Sequence, residues 1–114
     1  MDAHATLADL RRTAETLWPA HTAEPWDRVG LVTGHNDSPV HKILLAVDPV
    51  TATVEEALEW GADLMITHHP LMLRGVHTVS GATAKGALVS KLIRGNCALL
   101  AAHTNADTPE GGVS

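Results

Sequence analysis

Three short apolar runs, each followed by polar residues, constrain the fold of this chain more than any other feature. The runs occupy residues 43–47, 64–67 and 97–102, and segments with helical character separate them. Unbroken apolar runs of this length are typical of strands that are buried on both faces of a parallel sheet. The order strand, helix, strand, helix, strand therefore predicts an α/β fold, with a layered, largely parallel sheet and flanking helices.

Turn and capping residues give the bounds of the predicted elements. Residues 7–18 have the apolar spacing of a helix, with Thr6 as its N-cap. Further helices are expected over residues 53–60 and 83–94, and a glycine follows each segment. Thr53 and Glu56 have the spacing of a capping box at the start of the first of these helices, although Thr51 could be the cap instead. Residues 26–34 are predicted to form a loop that enters a short strand.

A histidine, a carboxylate or both follow each of the three apolar runs. Asp48 follows the first run, His68 and His69 follow the second, and His103 and Asp107 follow the third. In open parallel sheets, ligands bind outside the carboxyl ends of the strands. Imidazole and carboxylate groups together suit zinc, iron, manganese or nickel. This convergence predicts a divalent-metal site at one edge of the sheet.

Each of these groups also has a purely structural interpretation. His68 and His69 precede a proline and are consistent with a solvated surface turn. Asp107 is equally consistent with an N-cap for a helix that begins at Pro109. For Asp48, a capping role after the first strand is favoured over a role in the site.

Other polar residues show weaker patterns. Trp26 is interpreted as a packing residue, and Asp27 as a group that binds the loop backbone or lines the pocket. Cys97 lies within an apolar run and is interpreted as a core residue rather than a nucleophile. The remaining histidines are interpreted as solvated or incidental: His4, His21, His35, His41 and His77.

Composition and charge exclude several classes of function. The formal net charge is −5 and no basic run is present, so general nucleic-acid binding is not expected. No stretch approaches the ~18 apolar residues that a membrane span requires. The N-terminus lacks the basic and apolar regions of a signal peptide, and the single cysteine fits a reducing compartment. A cytoplasmic location is therefore expected.

Three motifs together resemble those of the NIF-three-like dinuclear metal-centre proteins, which are also named GTP cyclohydrolase I type 2 homologues. They occupy residues 26–31, 66–71 and 102–107, and they read WDRVGL, ITHHPL and AHTNAD. The resemblance covers residues 6–114. Arg28 stands where this family usually has asparagine, which puts a role for that side chain in doubt but not the metal site.

The resemblance implies a site for two divalent metal ions. It implies that His68, His69 and Asp107 are ligands, and that His103 lies behind the ligands or in the pocket, where Asp27 is also expected. Proteins of this family are at least twice as long, and a second α/β half supplies a further histidine and glutamate. Residues 1–114 are therefore expected to be the N-terminal half of a two-part fold, with the C-terminal half absent.

The same resemblance implies a metal-dependent hydrolase that acts on a nucleotide or another small molecule. The alternative is a non-catalytic metal carrier, a sensor or a partner-binding scaffold, because fold and family do not establish a substrate. No catalytic residue is assigned, and Asp27 and Asp48 are the only candidates for a general base. Self-association is expected, since members of the family resemble hexamers built from dimers.

Overall fold

A four-stranded mixed sheet forms the centre of the protein. The structure is a computed structural model that describes residues 5–73, 75–76 and 78–107. The strands follow the order β1-β4-β3-β2 across the sheet. The elements are α1 (Leu7–Leu17), β1 (Gly30–Thr33), β2 (Ile43–Ala46), α2 (Thr51–Trp60), β3 (Leu64–Thr67), α3 (Ala84–Arg94), β4 (Ala98–Ala101) and α4 (Thr104–Asp107), with a 3₁₀ turn at Ala20–Thr22.

Parallel pairing of β2, β3 and β4 brings their carboxyl ends to one edge of the sheet. Ala46 pairs with Thr67, and Thr67 pairs with Ala101, so the three strands end at the same level. Strand β1 pairs antiparallel with β4 at the opposite side of the sheet. The predicted α/β fold with a largely parallel sheet is confirmed.

The two faces of the sheet pack against different helices, because successive side chains along a strand point in opposite directions. On one face, Met65 and Leu99 pack against α2 and α3, and both side chains are fully buried. On the other face, Leu64 and Leu100 pack with Leu7 of α1. This arrangement leaves the carboxyl ends of the strands outside the core, where they carry the polar residues.

Local sequence explains where the helices begin and end. Thr6 caps α1 as predicted, and it forms a reciprocal capping box with Asp9. Thr83 caps α3 by accepting a hydrogen bond from the Gly86 N–H. Helix α2 begins at Thr51, two residues earlier than predicted, because the Thr53 hydroxyl accepts a hydrogen bond from the Val50 N–H and so joins the helix as a capping residue.

Strand β2 differs from the prediction that all three runs are buried on both faces. It lies at the edge of the sheet, and Leu45 is 73% exposed. Ile43 and Val47 are exposed on the same alternating positions. A run of apolar residues does not distinguish an edge strand from a central one. Among the four described strands, β3 and β4 are central.

The loop before α3 and the length of the helices complete the description. Between β3 and α3, the described residues of the segment 71–81 form neither a helix nor a strand. Across the described part of the chain, the helices are all too short or too polar to span a membrane.

Candidate metal centre

The hydrogen-bond pattern of the sheet continues past the ends of the strands and positions the site. His68 and His69 donate their backbone N–H groups to the carbonyls of Ala46 and Val47, at 3.2 and 2.9 Å. The Ala102 N–H likewise donates to the Thr67 carbonyl at 2.9 Å. The backbone at both histidines is therefore held by the neighbouring strand rather than being part of a free surface turn.

Three imidazoles meet at this edge. The rings of His68, His69 and His103 have centroid separations of 5.3, 5.0 and 5.2 Å. Each ring offers one nitrogen such that all three nitrogens lie within 4.8 Å of one another. Three nitrogens that are all 4.8 Å apart, the upper limit here, surround a point ~2.8 Å from each of them, whereas a zinc–nitrogen bond is ~2.0–2.1 Å long. Shifts of ~0.7 Å by each imidazole therefore suffice for this group to hold one ion.

All three imidazoles also have an oxygen atom next to their Nδ1 atom. His68 Nδ1 lies 3.0 Å from the Ala102 carbonyl oxygen. His69 Nδ1 lies 2.5 Å from Asp48 Oδ1, and His103 Nδ1 lies 3.2 Å from Asp27 Oδ1. A carbonyl or an ionised carboxylate only accepts hydrogen bonds, so in each neutral ring Nδ1 carries the proton and Nε2 keeps its lone pair. This is the usual arrangement of histidines that bind metal ions.

Asp27 is the most enclosed polar group near the site. Its side chain is fully buried and accepts hydrogen bonds from the Arg28 N–H at 2.8 Å, the Thr104 N–H at 3.0 Å and the Thr104 hydroxyl at 2.7 Å. Burial raises the pKa of Asp27, but the hydrogen bonds from Thr104, Arg28 and His103 together outweigh it, and the pKa lies below its ordinary value. Asp27 is therefore ionised at neutral pH.

Asp107 approaches the imidazoles from the short helix α4. Its Oδ1 atom lies 3.8 Å from His68 Nε2. Asn105 fixes the turn before it, accepting a hydrogen bond from the His103 N–H at 3.0 Å and donating one to the Trp18 carbonyl at 2.9 Å. The Asp107 carboxylate thus lies beside one of the three imidazoles, His68, and imidazole and carboxylate donors together suit a first-row transition-metal ion.

The structure thus brings together the residues that the sequence singled out as candidate ligands. His103 lies within the group of three imidazoles rather than behind it, whereas Asp27 lies behind His103. The other interpretation of Asp107, as a cap for a helix at Pro109, concerns residues outside the described ones. His21, His35 and His41 are exposed and do not belong to this group. His4 and His77 also lie outside the described residues.

Two sequence-based interpretations are wrong. Asp48 was favoured as a helix cap, but Val50 occupies the N-cap position of α2, and the Asp48 side chain contacts His69 instead. Trp26 was interpreted as a packing residue, yet it is 55% exposed, and its ring meets His103 edge-on at 5.9 Å. Cys97, by contrast, is a buried free thiol in the core, as predicted.

Some contacts of the site were missed at the sequence level. The Asp48–His69 pair depends on the register of β2 and β3, in which Ala46 lies opposite Thr67 and the next but one residue of each strand lies at the same level. The sequence predicted parallel strands but not this register. The pairing of Thr104 with Asp27 had no sequence signal, because it joins residues that are far apart in the chain.

Comparison with known proteins decides the family. The sequence profile of the Duf34/NIF3 (NGG1p interacting factor 3) family matches residues 5–114. The chain belongs to this family. Relatives at the sequence level include a protein named GTP cyclohydrolase 1 type 2 homolog from Streptomyces coelicolor, which is 53% identical over 108 residues, 95% of the chain. A protein of the same name from Mycobacterium tuberculosis is 45% identical over 95% of the chain.

Solved structures of this family share the fold. A Bacillus cereus protein related to NIF3 superposes with a TM-score of 0.89 at 32% identity, covering 97% of this chain and 30% of that protein. A hypothetical protein of Staphylococcus aureus superposes with a TM-score of 0.86 at 38% identity, covering 91% of this chain and 34% of that protein.

The chain spans only part of its relatives. It covers 38% of the Streptomyces coelicolor protein and 28% of the Mycobacterium tuberculosis protein. This coverage fits the N-terminal part of a protein of the family.

Proposed function

We propose that this chain is the N-terminal part of a protein that binds two divalent metal ions, with His68, His69 and Asp107 as ligands. The observation that carries the proposal is the convergence of three imidazole nitrogens within 4.8 Å. The Asp107 carboxylate beside His68 supports it further. Because His103 lies in the same group, we include it as a fourth candidate ligand.

The chemistry of the surrounding groups also supports this proposal. Each of the three imidazoles has a carboxylate oxygen within 4 Å of one ring nitrogen, and these carboxylates belong to Asp27, Asp48 and Asp107. When ionised, they give the site a negative charge that one or two divalent cations offset. Four protein donors suit one ion, so the second ion would need donors from outside the described residues. The metal would be zinc, iron, manganese or nickel, all of which accept imidazole and carboxylate ligands.

We further propose that the whole protein is a metal-dependent hydrolase. A bound divalent ion supplies a Lewis acid and makes water more acidic. The residues of this chain would hold and orient the ion, and the half-exposed His69–Asp48 pair lies where a substrate can reach it. The relatives are named for similarity to GTP cyclohydrolase, which makes a nucleotide the first substrate to test.

A non-catalytic metal carrier, sensor or scaffold is the second candidate. The observation that favours it is that the carboxylates nearest the imidazoles are already engaged. The Asp27 carboxylate has four hydrogen bonds, to Arg28, His103 and twice to Thr104. The Asp48 carboxylate contacts His69. A general base needs a free acceptor within reach of the proton that it removes.

Two measurements separate these proposals. Calorimetric titration of the chain with Zn²⁺ tests metal binding. We expect about one ion per chain, since four donors suit a single ion. We expect this binding to be weak, because the imidazole nitrogens lie up to 4.8 Å apart and must move to contact one ion. Turnover of GTP and a panel of nucleotides by the full-length Streptomyces coelicolor relative, with and without chelator, tests hydrolysis. Metal binding by the chain without chelator-sensitive turnover by the relative would favour the carrier, and absence of metal binding by the chain would contradict the site itself.

We also propose that the protein self-associates in a cytoplasmic compartment. The exposed apolar side chains of Ile43, Leu45 and Val47 along β2 support association, because exposed apolar surface favours contact with another polypeptide. The buried free thiol of Cys97 is compatible with a reducing environment. In the family, the expected assembly is a hexamer built from dimers.

A further inference from the structure

Two of the three imidazoles are supported by carboxylates from other parts of the chain. Asp48 follows β2 and contacts His69, which follows β3. Asp27 precedes β1 and contacts His103, which follows β4. The third imidazole, His68, is supported by a backbone carbonyl, which no substitution can remove. His68 therefore provides an internal reference for the other two.

Each carboxylate determines which nitrogen of its histidine carries the proton. A neutral imidazole has one donor and one acceptor nitrogen, and an ionised carboxylate has only acceptors. With a carboxylate next to Nδ1, the proton stays on Nδ1, and the lone pair stays on Nε2. Metal ions bind the nitrogen that carries the lone pair.

The two carboxylates are held with different rigidity. The Asp27 side chain is fully buried, and Thr104 and Arg28 hold both of its oxygens. The Asp48 side chain is about half exposed, although the Thr53 hydroxyl anchors its backbone carbonyl at 2.6 Å. Water competes for Asp48 but not for Asp27, so Asp27 has the stronger effect on its histidine.

We propose that Asp27 and Asp48 are positioning residues that fix the Nδ1–H form of His103 and His69 and thereby present both Nε2 atoms as metal ligands. This inference rests on the proposed metal site. It assigns neither aspartate as a ligand or a general base. It gives the N-terminal loop that carries Asp27 a direct role in metal affinity, although this loop contributes no ligand of its own.

The substitution Asp27→Asn tests the proposal most directly. An amide has nearly the same shape as a carboxylate, but one of its two polar ends is a donor. Thr104 donates two hydrogen bonds to Asp27 Oδ2. At Oδ1, by contrast, the Arg28 N–H is the one described donor besides His103, whose ring can change tautomer. The amide oxygen is therefore expected to face Thr104, at the cost of the hydrogen bond from Arg28. The amide NH₂ then faces His103 Nδ1 and donates to it. The His103 proton is expected to move to Nε2, which removes that lone pair from the metal site.

The first measurement reports the protonated nitrogen itself. Long-range ¹H–¹⁵N correlation spectra of the metal-free chain distinguish Nδ1–H from Nε2–H imidazoles. We expect His68, His69 and His103 to be Nδ1–H in the unaltered chain. In Asp27→Asn, only His103 is expected to change. A change of fold alone would not convert one histidine selectively, so this spectrum separates a positioning role from a general structural one.

The second measurement reports metal affinity by calorimetry with Zn²⁺. We expect Asp27→Asn to weaken binding ~10–100-fold, the usual effect of removing a group that orients a metal ligand. The matched control is Asp37→Asn, which removes the same charge at an exposed position between β1 and β2. This control is expected to leave the affinity within about twofold.

Asp48→Asn provides a second test, because replacing the buried Asp27 could prevent folding. We expect Asp48→Asn to reduce the population of the Nδ1–H form of His69. We also expect this variant to bind Zn²⁺ ~10-fold more weakly, at the lower end of the usual range, because water partly replaces the carboxylate. Unchanged histidine spectra and unchanged Zn²⁺ affinity in the folded variants would overturn the positioning role. Absence of Zn²⁺ binding by the unaltered chain would instead overturn the metal site on which this inference rests.

Discussion

His68 Nε2 and Asp107 Oδ1 lie 3.8 Å apart, although one residue follows β3 and the other ends the short helix α4. This distance is short enough for both atoms to contact one metal ion, because each bond is ~2.0–2.2 Å long. The relationship depends on the parallel pairing of β3 with β4, which places both strand ends at one level.

We predict that His68→Ala weakens Zn²⁺ binding at least ~100-fold, since loss of a residue that merely orients a ligand already costs ~10–100-fold. The control is His35→Ala, which removes an exposed imidazole outside the group of three. Calorimetry measures the affinity, and circular dichroism checks that both variants are folded. Equal affinity of the two folded variants would show that His68 is not a ligand.

A prediction about the hydrophobic core concerns Leu99 of β4, which is fully buried against the helices α2 and α3. We expect Leu99→Ala to lower the free energy of unfolding by ~2–5 kcal/mol, because it removes buried methyl groups and leaves a cavity. Ile93→Ala on the exposed side of α3 is the control, with an expected change within ~0.5 kcal/mol. Urea unfolding measures both values, and similar losses in the two variants would contradict the described core.

Asp9 gives the N-terminus of α1 a dependence on pH. The backbone and side-chain hydrogen bonds from Thr6 lower the pKa of Asp9. Desolvation opposes this effect in part, and the charge of Arg12 contributes a further, smaller lowering. Because the folded pKa lies below the unfolded value of ~3.9, the stabilisation is complete above pH ~4 and is lost as the pH falls through the folded pKa.

We therefore expect the melting temperature to fall less between pH 5 and pH 2.5 in Asp9→Asn than in the unaltered chain. Thermal unfolding followed by circular dichroism measures this difference. The exposed Glu59→Gln variant serves as the control for general loss of negative charge. A fall in Asp9→Asn as large as in the unaltered chain would contradict the role of the capping box.

Cys97 is predicted to be unreactive in the folded protein. Burial, together with the negative charge of Asp63, raises the pKa of Cys97 to about 11. At pH 8 the thiolate fraction is then ~100-fold lower than for an ordinary thiol with a pKa of ~8.5. We expect Ellman's reagent to label the folded chain at least ~100-fold more slowly than the chain in guanidinium chloride. Equal labelling rates would show that Cys97 is accessible.

Leu45→Lys tests the proposed self-association. Leu45 is the most exposed large apolar residue described in the protein, and a lysine on an edge strand opposes pairing with another strand. We expect the variant to have a lower average mass than the unaltered chain by light scattering at equal concentration. Val79→Lys, at an exposed position in the segment before α3, is the control. No difference in mass among the three proteins would contradict a role for this edge in association.

The sequence by itself determined the three long helices, the strands and the edge of the sheet that carries the site, but not the short helix α4 or the 3₁₀ turn. Apolar period and capping residues such as Thr6 and Thr83 depend on neighbours a few positions away, so they can be recognised locally. Parallel strands joined by helices must end at one edge, so the polar residues after β3 and β4 were expected to converge. His68, His69, His103 and Asp107 do meet there.

Only the tertiary structure decided the order of the strands and the partners of each imidazole. An apolar run indicates that a strand has burial-prone side chains, but it does not indicate which strands lie beside it. The exposure of Leu45 at the edge of the sheet was therefore not predicted. The contacts of Asp48 with His69 and of Asp27 with His103 join residues from separate elements. Such contacts depend on how the whole sheet is assembled, and no local spacing encodes them.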